Sequence, residues 1–354
     1  MRISRYSFLC AVVFFGLAVS SFTFTGTHSA YAAEPKTKAV VIMYHRFGED
    51  DFPSTNVSMD QFRAHVEELK NGGYNVVSLP RIVDALRNGE ALPPKTVGLS
   101  VDDAYESVYT RAWPILKAAG FPLTVFIAAD PVDQHTPRYM SWDQVRELAA
   151  DGVTMGSQTK YHPHMADLSK DAVKKEIEIS NKLFAEKLGK TPDLFAYPYG
   201  EASSEVMKLV KDAGFAAAFG QHSGAIGSGG ELYYLPRFAM NETYGSIDRF
   251  KLAANALPVT VTDITPGNPT LGKPNPPLMG FTLTWPEKGL DRLHCYASHV
   301  DKLDVQHLGK RIEVRTDKAM PAGRTRLNCT MPAGNGRWYW YGRQYYVPKK
   351  NQTD

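Results

Sequence analysis

The sequence is short of several things that would settle its class at once. It has almost no surplus charge: 40 Lys and Arg stand against 37 Asp and Glu, a formal net charge of +3. That balance gives no general case for a nucleic-acid partner. The N-terminal apolar run, residues 8–19, is too short to cross a bilayer. No internal repeat stands out, and cysteine is nearly absent, with only Cys10, Cys295 and Cys329. What is present, 43% hydrophobic and 22% charged residues over 354 positions, is the make-up of a globular protein. The length suits one large domain plus a small one.

The short apolar run reads as part of an export signal. Arg2 and Arg5 form a basic start, and Ala30-Tyr31-Ala32 supplies the small-x-small cleavage pattern. The expectation is a signal peptide over residues 1–32, cut near Ala32, and a secreted or periplasmic protein with no membrane span after cleavage. An uncleaved anchor is the lesser alternative. Cys10 has no lipobox before it. Cleavage removes Arg2 and Arg5, taking the net charge from +3 to +1, and removes Cys10. Cys295 and Cys329 then remain, and two cysteines in an oxidising compartment favour a disulfide. It would close a loop of roughly 35 residues, worth on the order of 3–4 kcal/mol in the loop-entropy account.

From Lys38 to about residue 254, apolar runs alternate with amphipathic helical patterns. The runs fall at residues 39–44, 74–79, 97–101, 123–128, 153–157, near Phe195, and at 215–219. Ser58 with Gln61, and Ser141 with Gln144, are capping-box pairs that open helices. Gly72 and Gly73 end the first helix, and Gly189 ends a long one over residues 171–188. Pro114 starts or kinks the helix over residues 109–119. A series of strand–helix units implies an α/β protein with a parallel sheet, either closed as a barrel or open and doubly wound.

After Leu257 the texture changes. Pro258, Pro266, Pro269, Pro274, Pro276 and Pro277 punctuate a linker or strand-edge region. Short alternating runs at residues 280–285, 311–315 and 337–347 then predict a small β-sandwich. The expected organisation is a barrel over residues 33–256, a proline-rich linker or edge over 257–278, and a β-rich module over 279–354. From residue 256 on, 14 Lys and Arg face 8 Asp and Glu, so the module is basic. Contact with an acidic cell-envelope polymer is one reading of that excess; an ordinary solvated surface is the other. Trp338 and Trp340 share a strand face, which suits either sugar stacking or the sandwich core.

Three strand ends carry chemistry. Residues 99–101 run into the paired carboxylates Asp102 and Asp103. Successive strand side chains point to opposite faces, so both can serve one site only where the backbone turns at the strand's carboxyl end, where α/β folds place active sites. Residues 153–157 run into Gln158, His162 and His164. A third strand ends in Tyr44-His45. Two histidines and a carboxylate from separate strand ends suit a three-ligand zinc-type site with an open position.

These residues match a family. Ser100-Val101-Asp102-Asp103 resembles the Thr-Phe-Asp-Asp motif of the polysaccharide deacetylases, the NodB-homology carbohydrate esterases of family 4. The stretch from Gly156 to His162 resembles their Gly-x-His-Thr-x-x-His motif, and Phe195-Ala196-Tyr197-Pro198-Tyr199-Gly200 resembles a third. Met43-Tyr44-His45 resembles the branch that includes poly-N-acetylglucosamine deacetylases. The resemblance implies a distorted (β/α)7 barrel and metal-dependent removal of N-acetyl groups from an extracytoplasmic amino-sugar polymer. It implies a divalent metal, zinc first with cobalt or nickel as alternatives, held by Asp103 and His162. Asp102 would be the general base, His45 the acid that protonates the leaving amine, and the Tyr199 backbone N–H an oxyanion donor.

The sequence departs from the family at three places. Gln158 stands where the motif has its first histidine. His164 then replaces that ligand, or Gln158 ligates through its carbonyl oxygen, or metal affinity is lost; the first is favoured. Ala104 stands where glycine is usual, at a cost of about 1 kcal/mol if the position needs φ > 0. Ala196 replaces an arginine that orients the base in many members. A glycan-binding barrel without turnover, and a deacetylase of another acetylated glycan, are the rival functions.

Overall fold

A computed structural model describes residues 34–286 and 288–349, together with Met1. The expected export signal lies outside the described residues. No helix among the described residues is long and apolar enough to cross a membrane.

The barrel strands are Lys38–Tyr44 (β1), Asn75–Val76 (β2), Thr96–Asp102 (β3), Thr124–Ile127 (β4), Thr154–Ser157 (β5), Leu194–Ala196 (β6), Ala217–Phe219 (β7), Ile226–Gly227 (β8) and Phe238–Ala239 (β9). They form one sheet in the order β8-β1-β3-β4-β5-β6-β7, with β9 beside β1 and β2 beside β3. Every pairing from β1 through β7 is parallel, and only β8 runs antiparallel. The longest strands, β1 and β3, are buried almost throughout, because helices cover a parallel sheet on its faces. The sheet curls into the half-barrel of a distorted (β/α)7 fold, with its two end strands, β8 and β7, not paired to each other among the described residues.

Local signals act as expected. Ser58 with Gln61 and Ser141 with Gln144 each make both bonds of a capping box. The long helix runs Lys170–Leu188 and stops at Gly189, φ 74°. Pro114 lies in the first turn of the helix Trp113–Ala118, where its missing N–H leaves no bond unmade.

The C-terminal strands are Leu257–Pro258 (β10), Thr260–Thr265 (β11), Met279–Trp285 (β12), His294–Ala297 (β13), Asp304–Leu308 (β14), Arg311–Arg315 (β15), Gly323–Gly334 (β16) and Arg337–Val347 (β17). They make two four-stranded sheets, β10-β17-β16-β13 and β11-β12-β15-β14, which enclose one apolar core around Phe281, Ile312 and Leu327. The proline-rich stretch therefore contributes two strands as well as linker. Cys295 and Cys329 face each other on β13 and β16 and are disulfide-bonded.

Side chains of the sandwich pack on the barrel. Trp340 packs against Phe238 of β9 at 5.0 Å, and its indole N–H donates to Asn328, so it fills a seam instead of binding sugar. Several of the module's cations are committed to partners: Arg343 to Glu231, Arg311 and Arg315 to Glu313, Arg324 to Glu201.

Two buried histidines tie the fold to pH. His65 lies between Tyr44 Oη at 3.0 Å and the Gly245 carbonyl at 2.8 Å, stacked on Phe250. Burial pushes it down to about 4, and buried His222 down to about 3. Such a histidine is neutral when folded but takes a proton when unfolded below about 6.5, so stability falls as pH drops through that value. Between pH 6.5 and 4, each should lower the unfolding free energy by about 1.4 kcal/mol per pH unit. Urea unfolding across that window measures it, and a flat profile would contradict it.

Candidate active site

The backbone turns where the paired carboxylates need it to. Asp103 has φ 73° and Ala104 φ 59°, so the chain leaves strand geometry just after Asp102 and both carboxylates stay at the strand's carboxyl end. The glycine-favouring position is thus occupied by alanine, at a cost of about 1 kcal/mol.

Asp102 is fully buried and gripped at two points by an equally buried arginine. Arg237 Nη1 donates to Oδ1 at 2.6 Å and Nη2 to Oδ2 at 2.8 Å. Gln221 Nε2 adds a bond to Oδ2 at 3.3 Å. Arg237 is itself fixed, its Nε donating to the Gly220 carbonyl at 2.9 Å. It supplies the cation that Ala196 cannot, from a strand entry 135 residues away from Asp102. A buried aspartate without a nearby basic residue in sequence was the only hint of it. Arg237→Met would strand a buried carboxylate, and unfolding measurements should show a loss of about 3–5 kcal/mol. Arg237→Lys should recover only part, because an ammonium cannot match a two-point grip. A loss below about 1 kcal/mol, the scale of an exposed pair, would contradict this account.

His162 comes from the loop after β5. It has φ 54°, and its N–H donates to Thr159 Oγ1 at 3.1 Å. Its Nε2 stands 3.4 Å from Asp103 Oδ1. Both atoms are buried, and neither has a hydrogen-bond partner among the described residues. Burial pushes the His162 pKa down, against the pull of Asp103 and Asp102, and His45 and His164 act in the same direction as burial. A neutral imidazole facing a carboxylate is what a divalent ion requires.

Gln158 and His164 are placed differently. Gln158 is fully buried, and its Oε1 accepts the Asp103 N–H at 3.2 Å, while its Nε2 has no partner among the described residues. His164 stacks on the Tyr199 ring at 4.2 Å, and its Nδ1 is bonded to buried Glu201 at 2.6 Å. Among the described residues no three His, Cys, Asp or Glu side chains form a metal-binding group. Glu201, which the sequence did not single out, is pushed up in pKa by burial, with the His164 bond opposing that.

His45 follows β1, whose Tyr44 pairs with Val101 of β3, and so stands at the same sheet end as Asp102. Tyr199 lies in the turn after β6 with φ 59°. Its ring meets that of His162 edge-on at 4.5 Å. Gly200 follows at φ 68°, and a side chain there would meet the Gln221 backbone at 2.5 Å.

A curled (β/α)7 sheet with carboxylates and histidines gathered at its carboxyl ends has the frame of a carbohydrate deacetylase. Residues 89–218 match the family model of polysaccharide deacetylases, and the chain carries a polysaccharide deacetylase domain. It is 24% identical over 279 residues to the poly-beta-1,6-N-acetyl-D-glucosamine N-deacetylase of Staphylococcus aureus, spanning 68% of this chain and 94% of the relative. Among solved structures, IcaB from Ammonifex degensii is 25% identical, with a TM-score of 0.53 over 61% of this chain and 97% of that one. The Streptococcus pyogenes deacetylase PplD, solved with acetate, shares the fold at a TM-score of 0.58 over 62% and 99%, with 21% identity.

Proposed function

We propose that the protein hydrolyses N-acetyl groups of an amino-sugar polymer outside the cytoplasm, with a divalent cation held by Asp103 and His162. The observation that carries this is the buried, unpartnered pair of Asp103 Oδ1 and His162 Nε2, 3.4 Å apart beside Asp102. Two ligands of one tetrahedral zinc, each about 2.0–2.2 Å from it, stand roughly 3.3–3.6 Å apart. The pair therefore suits a shared ion, zinc first, with cobalt or nickel as alternatives. Gln158 lies at the corner of the family's other histidine. With its oxygen bonded to the Asp103 N–H, and with no group of three His, Cys, Asp or Glu side chains among the described residues, this reading rests on two holding residues, Asp103 and His162.

When bound, the ion would acidify water and polarise the acetyl carbonyl. The remaining work falls to the chain. Asp102, fixed by Arg237 and Gln221, takes the proton of the attacking water, using a lone pair that the guanidinium leaves free. The Tyr199 N–H donates to the carbonyl oxygen as negative charge develops there. His45 gives a proton to the departing amine. The barrel over residues 33–256 carries these groups, and export through the signal over residues 1–32 places them outside the cytoplasm.

A substrate panel tests the reading. Acetate should be released from β-1,6-linked or chitin-type N-acetylglucosamine oligomers in preference to acetylxylan. The S. aureus relative's name favours the β-1,6 polymer. Release from acetylxylan alone would move the assignment to another acetylated glycan.

A further inference from the structure

We propose that the C-terminal sandwich is a positioning part of the catalytic centre, in which Gln344 and Arg324 hold the loop that presents the Tyr199 N–H. This rests on the reading of that N–H as the oxyanion donor.

The loop needs holding. Tyr199 and Gly200 are consecutive left-handed residues, and a non-glycine residue there is disfavoured by about 1–2 kcal/mol. Its carbonyls are fastened in turn. The Tyr199 carbonyl accepts from Gln344 Nε2 at 3.1 Å and Arg324 Nη1 at 3.4 Å. The Gly200 carbonyl accepts from Tyr234 Oη at 2.9 Å, and the Ala202 carbonyl from Thr270 Oγ1 at 2.9 Å. Gln344 and Arg324 lie on β17 and β16, and Thr270 lies between β11 and β12, so most of these donors come from beyond the barrel.

The support is rigid. Gln344 is buried, and its own carbonyl accepts from Tyr234 Oη at 3.3 Å. β17 runs beside β10 and packs on β9 through Trp340. Arg324 also reaches Glu201 at 3.6 Å, the residue that holds His164. Two dihedrals relate the Tyr199 N–H to its carbonyl. Fixing the carbonyl with φ at 59° therefore fixes the direction of the N–H.

The test uses the full chain loaded with Zn²⁺ and an N-acetylglucosamine oligomer. Arg324→Met and Gln344→Met should each lower kcat about tenfold and together about 10²-fold, the scale of a misplaced catalytic group. KM should stay within about twofold and metal content unchanged, since neither ground-state contacts nor ligands are removed. Arg324→Lys, which keeps a donor, should retain more activity than Arg324→Met. Amide exchange over residues 197–203 should quicken in the variants whatever the turnover. A folded double variant with unchanged kcat would overturn the proposal, as would a raised KM with kcat intact. If Gln344→Met does not fold, Arg324→Met, at a half-exposed side chain, carries the test. An inactive parent protein sinks the oxyanion reading instead, and the exchange measurement then decides separately whether the sandwich holds the loop.

Discussion

Asp102→Asn should lower acetate release by on the order of 10²–10⁴-fold, the contribution of a positioned general base. The amide keeps the shape of the carboxylate but cannot accept the water's proton. It also leaves the Arg237 guanidinium buried without its counter-charge, so some stability is lost as well. The rate must be taken on folded protein, checked by circular dichroism at the assay temperature. Undiminished turnover in a folded Asp102→Asn protein would remove the carboxylate from the mechanism.

Asp103→Ala and His162→Ala should each release the cation. The residues lie on different loops and share only the gap between Oδ1 and Nε2. If that gap holds an ion, either change lowers metal content after dialysis and lowers turnover at least about 100-fold, more than is usual for an outer-shell partner. His164→Ala separates the alternatives. No group of three His, Cys, Asp or Glu side chains among the described residues includes His164, so on the two-residue reading its loss should leave metal content near that of the parent protein. Equal metal loss in all three variants would make His164 a ligand after all.

Much of the frame was legible because its causes are local. Both capping boxes, Ser58 with Gln61 and Ser141 with Gln144, form as their spacing requires. The strand ends bearing Asp102, His162 and His45 could be placed because apolar runs in series leave only a parallel sheet. Asp103 Oδ1 and His162 Nε2 stand 3.4 Å apart at these strand ends. What stayed hidden is long-range. Arg237 lies far along the chain from Asp102 and beyond the matched family residues 89–218. Nothing in the texture of β9 marks it as a counter-ion. Spacing alone cannot show that Glu201 holds the His164 ring through Nδ1. Gln158 could not be read from its position, because its role is set by the Asp103 N–H. The bonds from Gln344 and Arg324 of the sandwich to Tyr199 span 145 and 125 residues, which no local pattern shows.

The most direct measurement takes metal content and acetate release from the same sample, on protein stripped with a chelator and then reloaded stepwise with Zn²⁺. Release from a β-1,6-linked N-acetylglucosamine oligomer should vanish on stripping and rise in proportion to metal, levelling at one ion per chain. Turnover that survives complete stripping, or a chain that takes up zinc without gaining turnover, would contradict a cation-assisted deacetylase built on Asp103 and His162.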